Sequence, residues 1–369
     1  MKLTIAKEQL LQGLQAVQNI VSTRTTLPIL SNVLLQADGN RLELTATDLD
    51  VTISCSAEAR VEKPGATTVP VKRFFGIVRE LPGNELELEV DEKHGCLLQA
   101  GSSYYRLNGL PAEEFPPLPK FAEKKKVMLP QEKLKSMLRK TSFAISTDET
   151  RFVLNGIFFS LKEHKVTMVA TDGRRLALTD EDVEIPVEGQ GEFIVPTKAI
   201  NELNRLLLPA GNAEVRFTDN QAAFYLKDET SSGVLIISKL VEGNYPNYRQ
   251  VIPSETKERI ALGREELLQA LRRAEIVTSD KSNSVKMSFT KNNLAITANS
   301  AEFGEARESI AINYKGRDIA IAFNPGYLMD PLKALENDEV FLELIDELSP
   351  GVLKVNGPFL YVLMPMRMN

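Results

Sequence analysis

Three aspartates in the sequence could support acid–base chemistry. Asp48 and Asp50 lie in the stretch TATDLDVT, and Asp172 lies in VATDGRRLAL. A pair of carboxylates at a suitable separation hydrolyses glycosides, which makes a hydrolase one interpretation of these residues. Each aspartate also stands between two alternating segments, where its side chain can accept hydrogen bonds from the backbone of a turn. We favour the turn, and the hydrolase stays open as an alternative.

The other residue types that carry chemistry are few. The two histidines, His94 and His164, have no cysteine or carboxylate at a metal-ligand spacing, and Cys55 lies in an apolar alternation typical of a core. The sequence contains neither a glycine-rich phosphate loop nor a GxSxG elbow. We therefore expect no catalytic residue, no metal site and no cofactor.

The composition limits the class of protein. The 369 residues exceed one ordinary domain, and 43% hydrophobic with 25% charged residues is typical of a globular protein. No run approaches the ~18 apolar residues of a membrane span, and the start MKLTIAKEQLL lacks the organisation of a signal peptide. Two cysteines are too few for a disulfide framework, so we expect a cytoplasmic protein with no membrane partner.

The elements that carry the aspartates are repeated. Residues 3–23 align with residues 127–147 at a shift of 124, the same shift that separates Asp48 from Asp172, and a third copy begins at Ile260. Each copy is a short strand followed by an amphipathic helix. A second helix recurs at 69–82, 195–209 and 323–335, each entered through proline or a neighbouring breaker. Alternating strands lie between the two helices, with hairpin turns at Asp48 and Asp172.

This repetition predicts an α+β protein of three modules, each with two helices packed on antiparallel sheets. The modules cover residues 1–122, 127–253 and 257–369, and the polar segments FAEKKK and PSETKE lie at the seams. Three like modules in a row can form an arc, and an arc closes when it dimerises with cyclic symmetry.

Basic residues concentrate on three predicted helices, although the chain has a net charge of −6. Residues 71–81, 131–141 and 197–208 hold nine basic residues against three glutamates. A positive face on an acidic protein indicates a polyanionic partner, and simple solvation of helix surfaces is the alternative. The nine are Lys72, Arg73, Arg79, Lys133, Lys135, Arg139, Lys140, Lys198 and Arg205.

Several motifs resemble the beta subunit of bacterial DNA polymerase III, the replicative sliding clamp. They are TATDLD, VATDGRRLA, LNGIFF (154–159), EGNYPNYRQVIP (242–253) and the terminal YVLMPMRMN, so the resemblance covers the whole chain in order. It implies a DNA clamp fold that closes into a ring as a head-to-tail homodimer, with helices lining the hole. It also implies a non-catalytic processivity factor that slides on double-stranded DNA. The implied partners are a clamp loader, the replicative polymerase and other proteins that dock through short peptide motifs.

The resemblance assigns residues to three surfaces. DNA-binding residues are Arg24, Lys72, Lys198 and Arg205; the acids of Thr147-Asp148-Glu149 argue against a further phosphate contact beside Arg151. The partner-peptide pocket comprises Arg151, Leu154, Thr171, Gly173, Arg174, Arg175, Leu176, Pro246, Val251, Val362, Met364, Pro365, Met366 and Arg367. The dimer interface comprises Arg73, Ile77, Leu81, Tyr105, Arg106, Ile276, Val277, Glu302, Glu305 and Glu308, and Arg73 also fits a DNA-facing position.

The proposed pocket makes physical sense, because aliphatic and methionine side chains form an adaptable apolar floor while arginines at the rim bind peptide carbonyls or carboxylates. Besides the hydrolase, one further alternative stays open. A monomer could bind a polyanion directly through its basic helices, without a ring, and would then be retained equally on linear and circular DNA.

Overall fold

A computed structural model describes residues 1–21, 27–119, 126–227, 233–279 and 283–367. Arg24, one of the predicted DNA contacts, lies outside the described residues. Within them, each third of the chain contributes two α-helices and eight β-strands. The prediction of an α+β protein with two helices per repeat is confirmed.

The first third contains helices α1 (Lys7–Val17) and α2 (Val71–Glu80) and strands β1 (Lys2–Ala6), β2 (Asn32–Asp38), β3 (Arg41–Thr47), β4 (Val51–Lys63), β5 (Gly65–Pro70), β6 (Glu85–Val90), β7 (Gly95–Ala100) and β8 (Ser103–Asn108). The second third contains helices α3 (Gln131–Thr141) and α4 (Thr197–Leu206) and strands β9 (Lys126–Pro130), β10 (Gly156–Lys162), β11 (Lys165–Thr171), β12 (Arg175–Asp182), β13 (Gly191–Pro196), β14 (Asn212–Phe217), β15 (Gln221–Lys227) and β16 (Val234–Lys239). The last third contains helices α5 (Arg264–Glu275) and α6 (Pro325–Ala334) and strands β17 (Glu258–Gly263), β18 (Val285–Thr290), β19 (Asn293–Ser300), β20 (Gly304–Ala311), β21 (Ile319–Phe323), β22 (Glu339–Leu344), β23 (Gly351–Lys354) and β24 (Phe359–Leu363).

The strands of the described chain form three antiparallel sheets. The largest has the order β8-β7-β6-β1-β4-β16-β15-β14-β9, with β3 pairing β4, and β2 pairing β3 and β5. The second has the order β13-β10-β11-β12-β24-β23-β22-β17, and the third β20-β19-β18-β21. Two of these sheets join successive thirds of the chain, because β16 pairs with β4 and β24 pairs with β12.

The two junctions use the same register. Leu235 of β16 lies opposite Ser54 of β4, and Leu360 of β24 lies opposite Leu178 of β12. Ser54 and Leu178 are again 124 residues apart. The repeat therefore extends beyond the elements themselves to the pairing that connects them.

The described chain packs into two compact units. The first unit is Met1–Lys135, Pro186–Gly189 and Lys198–Leu240, and the second is Ser136–Ile185, Gln190–Thr197 and Val241–Asn369. The middle third contributes strands to a sheet in each unit, which explains why packing does not divide at the seams read from the sequence. The boundaries of the three modules remain a prediction. None of the described helices combines the length and apolar character that a membrane span needs.

Helix α2 buries one face and exposes the other. In α2 the buried side chains are Val71, Phe74 and Val78, at the three- and four-residue spacing of one helical stripe, while Lys72 and Arg73 are exposed. Strand β6 shows the corresponding alternation, with Leu86 and Leu88 buried between exposed glutamates. Burial of these apolar stripes is what fixes the outward direction of the basic side chains.

Replacing Phe74 with alanine should lower the free energy of unfolding by about 3–5 kcal/mol, because its ring is fully buried and leaves a cavity. The matched control is Phe75→Ala, one residue further on the same helix and only half-buried, which should cost less than about half as much. Urea unfolding followed by circular dichroism measures both. Equal losses would contradict the helix face assigned here.

Candidate functional site

The hairpin turn between β11 and β12 is held by one aspartate. Asp172 Oδ1 accepts hydrogen bonds from the backbone N–H groups of Arg174 (2.9 Å) and Arg175 (3.0 Å). Gly173 has a φ of +85°, a left-handed conformation that favours glycine. Thr171 Oγ1 donates to the Arg175 carbonyl at 2.5 Å. These bonds fix where the strand that follows begins.

An apolar cluster lies directly beyond this turn. Leu176 on β12 lies opposite Val362 on β24, and both belong to a buried cluster with Phe158, Val169 and Tyr248. Tyr245 stacks on Phe158 with ring centroids 5.0 Å apart. With Ile194 on β13 as a further member, the cluster combines four strands from the middle third, one from the last third and the segment that joins the two thirds.

The chain around the cluster supplies exposed apolar side chains. Val251 and Met364 are exposed, and their chain neighbours Ile252 and Val362 pack in the cluster. The C-terminal tail is held by the backbone N–H of Met364 on the Arg174 carbonyl (3.0 Å) and that of Met366 on the Ala322 carbonyl (2.7 Å). An apolar floor with flexible methionines at its edge suits a short peptide.

All fourteen predicted pocket residues lie in the second unit, at different depths. Leu154, Leu176 and Val362 are buried, Thr171, Arg175 and Pro365 are half-buried, and Arg151, Gly173, Arg174, Pro246, Val251, Met364, Met366 and Arg367 are exposed. The assignment of each to a peptide contact remains a prediction.

A polar cavity of about 500 Å³ adjoins the hairpin, lined by Arg151, Arg174, Arg175, Asp148, Asp172 and Tyr327 among others. Arg151 Nη1 donates to the Asp172 carbonyl at 3.4 Å, and its Nε lies 3.5 Å from Asp148 Oδ2. Asp148 is the N-cap of the short 3₁₀ helix Glu149–Leu154, and hydrogen bonds from the Thr150 side chain and backbone lower its pKa.

Arg175 is used inside the unit. Its guanidinium donates to Asp330 (2.5 Å) and to the Phe143 carbonyl (2.6 Å), and it lies 3.1 Å from Asp172. Cζ lies 4.3 Å from the ring centroid of Tyr327. Burial acts to lower the pKa of Arg175, but hydrogen bonds and charge from Asp330 outweigh it and hold that pKa above its ordinary value. With its side chain only 10% exposed, Arg175 fastens the hairpin to α6.

Arg174 has the opposite character. Its side chain is exposed, and a hydrogen bond with Tyr327 raises its pKa. Of the two arginines expected at the rim, Arg174 is exposed to solvent, whereas Arg175 is bound to α6 and to the Phe143 carbonyl. Asp330 and Tyr327 were not among the sequence predictions, because no local pattern points from Arg175 to a helix 155 residues away.

The first hairpin copies the second without its apolar face. In the first hairpin, the positions of Leu176, Leu178 and Val169 are occupied by Thr52, Ser54 and Thr45, respectively. There the side chains bond to one another instead: Thr45 and Ser54 lie 2.9 Å apart, and Thr47 and Thr52 2.8 Å. Satisfied hydroxyl pairs give no apolar floor. The chain therefore builds an apolar cluster at one junction and a set of largely buried, mutually bonded hydroxyl groups at the other.

The predicted DNA contacts that can be described lie in the first unit. Lys72 is exposed on α2. Lys198, near the start of α4, forms an ion pair with Asp48. Arg205 pairs with Glu202 and donates to the carbonyls of Gln15 (3.0 Å) and Ala16 (2.6 Å), where α1 ends. A cation at a helix C-terminus is favourable, so Arg205 also stabilises α1.

The predicted dimer residues lie at two strand edges and the helices beside them. In the first unit Arg73, Tyr105 and Arg106 are exposed, Ile77 is half-buried and Leu81 is buried. In the second unit Ile276, Glu302 and Glu305 are exposed, while Val277 and Glu308 are half-buried. Arg106 pairs with Asp91 (2.6 Å) and Glu308 with Arg273 (2.7 Å). Among the strands that the structure describes, β8 and β20 each pair with a partner on one side alone.

Repeats of two helices on antiparallel sheets, joined by a strand pair at each junction, define the DNA clamp class. Family models confirm this for the whole chain: residues 1–119 match the DNA polymerase III beta subunit N-terminal domain, 128–247 its central domain, and 249–367 its C-terminal domain. The chain belongs to the DNA polymerase III beta subunit family, whose members are non-catalytic processivity factors.

Relatives and solved structures agree over the full length. The beta sliding clamp of Chlamydia pneumoniae is 36% identical over 369 residues, and that of Escherichia coli K12 is 35% identical over 373; each match covers 100% of both chains. The crystal structure of a DnaN sliding clamp from Bartonella birtlesii, bound to griselimycin, superimposes with a TM-score of 0.94 at 35% identity, again covering 100% of both chains. The DNA polymerase sliding clamp of Bacillus subtilis gives a TM-score of 0.95 at 31% identity with the same coverage.

The internal role of Arg175 predicts a difference between the two neighbouring arginines. Arg175→Ala should lower the free energy of unfolding by about 2–4 kcal/mol, because it removes the hydrogen-bonded partner of Asp330 in a partly buried site and leaves that carboxylate with the more distant Lys333, at 3.9 Å. The matched control, Arg174→Ala, should change it by about 0.5 kcal/mol or less. Chemical denaturation measures both, and a loss for Arg175→Ala no larger than for its neighbour would refute the assignment.

Proposed function

We propose that two copies of this DNA sliding clamp close head to tail into a ring around duplex DNA. The observation that carries the proposal is a repeated strand pairing that, among the described strands, lacks its third member. In the repeat, β4, β12 and β20 correspond, as do β8, β16 and β24. β16 pairs with β4 and β24 with β12, while β8 and β20 are left over. Pairing β8 of one copy with β20 of another completes the series.

The side chains near these edges support the same pairing. Tyr105 and Arg106 on β8 would face the acidic strand β20, which carries Glu305 and Glu308. Opposite charges across an interface fix register and speed association more than they add affinity. Ile276, 78% exposed just after α5, provides an apolar contact beside them.

A closed ring makes long residence compatible with weak binding. DNA threaded through a ring escapes at an end or when the ring opens, so its contacts need only be sequence-independent and easily broken. Lysine and arginine contacts with phosphates have this property. We assign Lys72, Lys198 and Arg205 to the DNA-facing surface of the ring. A clamp loader would open the ring. A protein that acts on chromosomal DNA in this way belongs in the bacterial cytoplasm.

The apolar cluster and its rim form the docking site for partners. Leu176 and Val362 would accept apolar side chains of a short peptide, with Val251 and Met364 closing over them and Arg174 bound to a peptide carbonyl or carboxylate. The replicative polymerase is the first partner expected, and other clamp-binding proteins would compete for the same pocket.

Ring closure predicts a solution mass of about 82 kDa, twice the 41.0 kDa of one chain. Ile276→Asp should shift the mass measured by light scattering on a size-exclusion peak toward 41.0 kDa, because a charge at the interface centre cannot be buried unpaired. The control is Leu348→Asp, a change of the same kind at a side chain 83% exposed, which should leave the mass unaltered.

An unmodified chain that elutes as a stable 41.0 kDa species at micromolar concentration would exclude the ring. Direct binding of a polyanion by the basic helices would then be the better account, and linear and circular DNA would retain the protein equally.

The proposed peptide pocket predicts a loss of polymerase stimulation that leaves the ring intact. Met364→Ala should reduce stimulation of the cognate polymerase on primed circular DNA about fivefold at limiting clamp, because it removes a contact at the edge of the pocket. Met128→Ala is the matched control: Met128 is 48% exposed on β9, against 45% for Met364. Both variants should retain the dimer mass. Equal stimulation by the two variants would remove Met364 from the pocket.

A further inference from the structure

The Asp48 carboxylate, in the turn between β3 and β4, makes two separate sets of contacts. Asp48 Oδ1 accepts the backbone N–H groups of Asp50 (3.1 Å) and Val51 (2.8 Å), which holds the turn. Its other oxygen, Oδ2, contacts the ammonium group of Lys198. One oxygen is therefore structural, and the other neutralises a lysine that we assign to the DNA-facing surface.

Comparison with the second hairpin explains why Asp48 Oδ2 is available to Lys198. At the corresponding position, Asp172 Oδ2 lies 3.1 Å from Nε of Arg175 in its own hairpin. The residue that matches Arg175 in the first hairpin is Val51, which has no charge. Asp48 thus lacks a cation within its own turn, and the cation it contacts comes from α4, 150 residues further along the chain.

The surroundings of Lys198 favour an anion. Lys198 is the second residue of α4, where the helix macrodipole is positive and a lone cation is disfavoured. The Asp48 side chain is 14% exposed and that of Lys198 47%. The carboxylate is thus largely covered while the ammonium group still reaches solvent, where a phosphate could approach it.

We infer that Asp48 is an internal competitor for Lys198, which a DNA phosphate must displace before Lys198 can contact DNA. This inference rests on the proposed DNA-facing role of Lys198. The consequence is a lower affinity for DNA, because each Lys198 exchanges one anion for another instead of forming an ion pair where it had none. For a clamp retained by topology, a weaker contact costs no residence and permits faster movement along the duplex.

Replacing Asp48 with asparagine separates its two sets of contacts. The amide oxygen of asparagine still accepts the two turn N–H groups, and asparagine is common in turns, while the charge at Oδ2 is lost. Asp48→Ser, which also accepts a turn hydrogen bond, serves as a second variant should the amide disturb the fold. Fluorescence anisotropy of a labelled short duplex, titrated with the full-length clamp at several salt concentrations, is the measurement.

Asp48→Asn should tighten duplex binding about two- to fivefold, the range expected when a partly exposed ion pair is released. The slope of log affinity against log salt should become steeper by up to about 0.9 for each lysine that gains a phosphate. Asp50→Asn is the matched control, because it removes the same charge from the same turn but its partner is Lys239, at 3.0 Å, outside the DNA-facing set. It should change the affinity less than about 1.5-fold.

A double variant tests whether the effect passes through the lysine. Lys198→Ala should weaken binding, and adding Asp48→Asn to it should then give no further change. Equal tightening by Asp48→Asn and Asp50→Asn would show a general charge effect and overturn the inference. No tightening by Asp48→Asn, with Lys198→Ala still weakening binding, would overturn the inference and leave the clamp function untouched. No effect of Lys198→Ala would instead remove Lys198 from the DNA surface, and the competitor role with it.

Discussion

The structure depends on strand pairing between neighbouring repeats, in which the last strand of one repeat pairs with the fourth strand of the repeat before it. An unpaired strand edge presents a row of N–H and C=O groups and invites association with another chain. β16 covers the edge of β4, and β24 covers the edge of β12. The same bonds place Val362 opposite Leu176, in the apolar cluster that we propose as the docking site. Among the described strands, β8 and β20 are the two that lack this pairing, and we assign them to the dimer.

The two hairpins show how one backbone design serves two purposes. Asp48 and Asp172 hold their turns with the same hydrogen bonds, and the following residue is left-handed in both: Leu49 with a φ of 78° and Gly173 with 85°. A leucine in this conformation costs roughly 1 kcal/mol that glycine does not. What differs is the side chains that surround the turn. Arg175 ties the second hairpin to α6, whereas Val51 leaves Asp48 to contact Lys198.

Two of the residues that we assign to the DNA-facing surface already form ion pairs within the chain. Lys198 and Arg205 each contact a carboxylate of their own unit, and Arg205 also caps α1. A basic helix surface read from composition alone would indicate a tight polyanion binder. The ion pairs reduce the free charge, which suits the ring that we propose, because its hold on DNA would come from encirclement and its contacts would break at every step of sliding.

The sequence by itself determined the repeat, the two helices of each module and the hairpins at Asp48 and Asp172. These features follow from local periodicity and turn chemistry, which a few neighbouring residues specify. It also placed Leu176 and Val362 together, through the resemblance to a known family. It did not separate Arg174 from Arg175, nor show that Leu81 is buried, nor that Lys198 meets Asp48. Those were decided by the tertiary structure, because each depends on a partner or a covering element far away in the chain, and linear spacing carries no information about which distant side chain arrives beside a given charge.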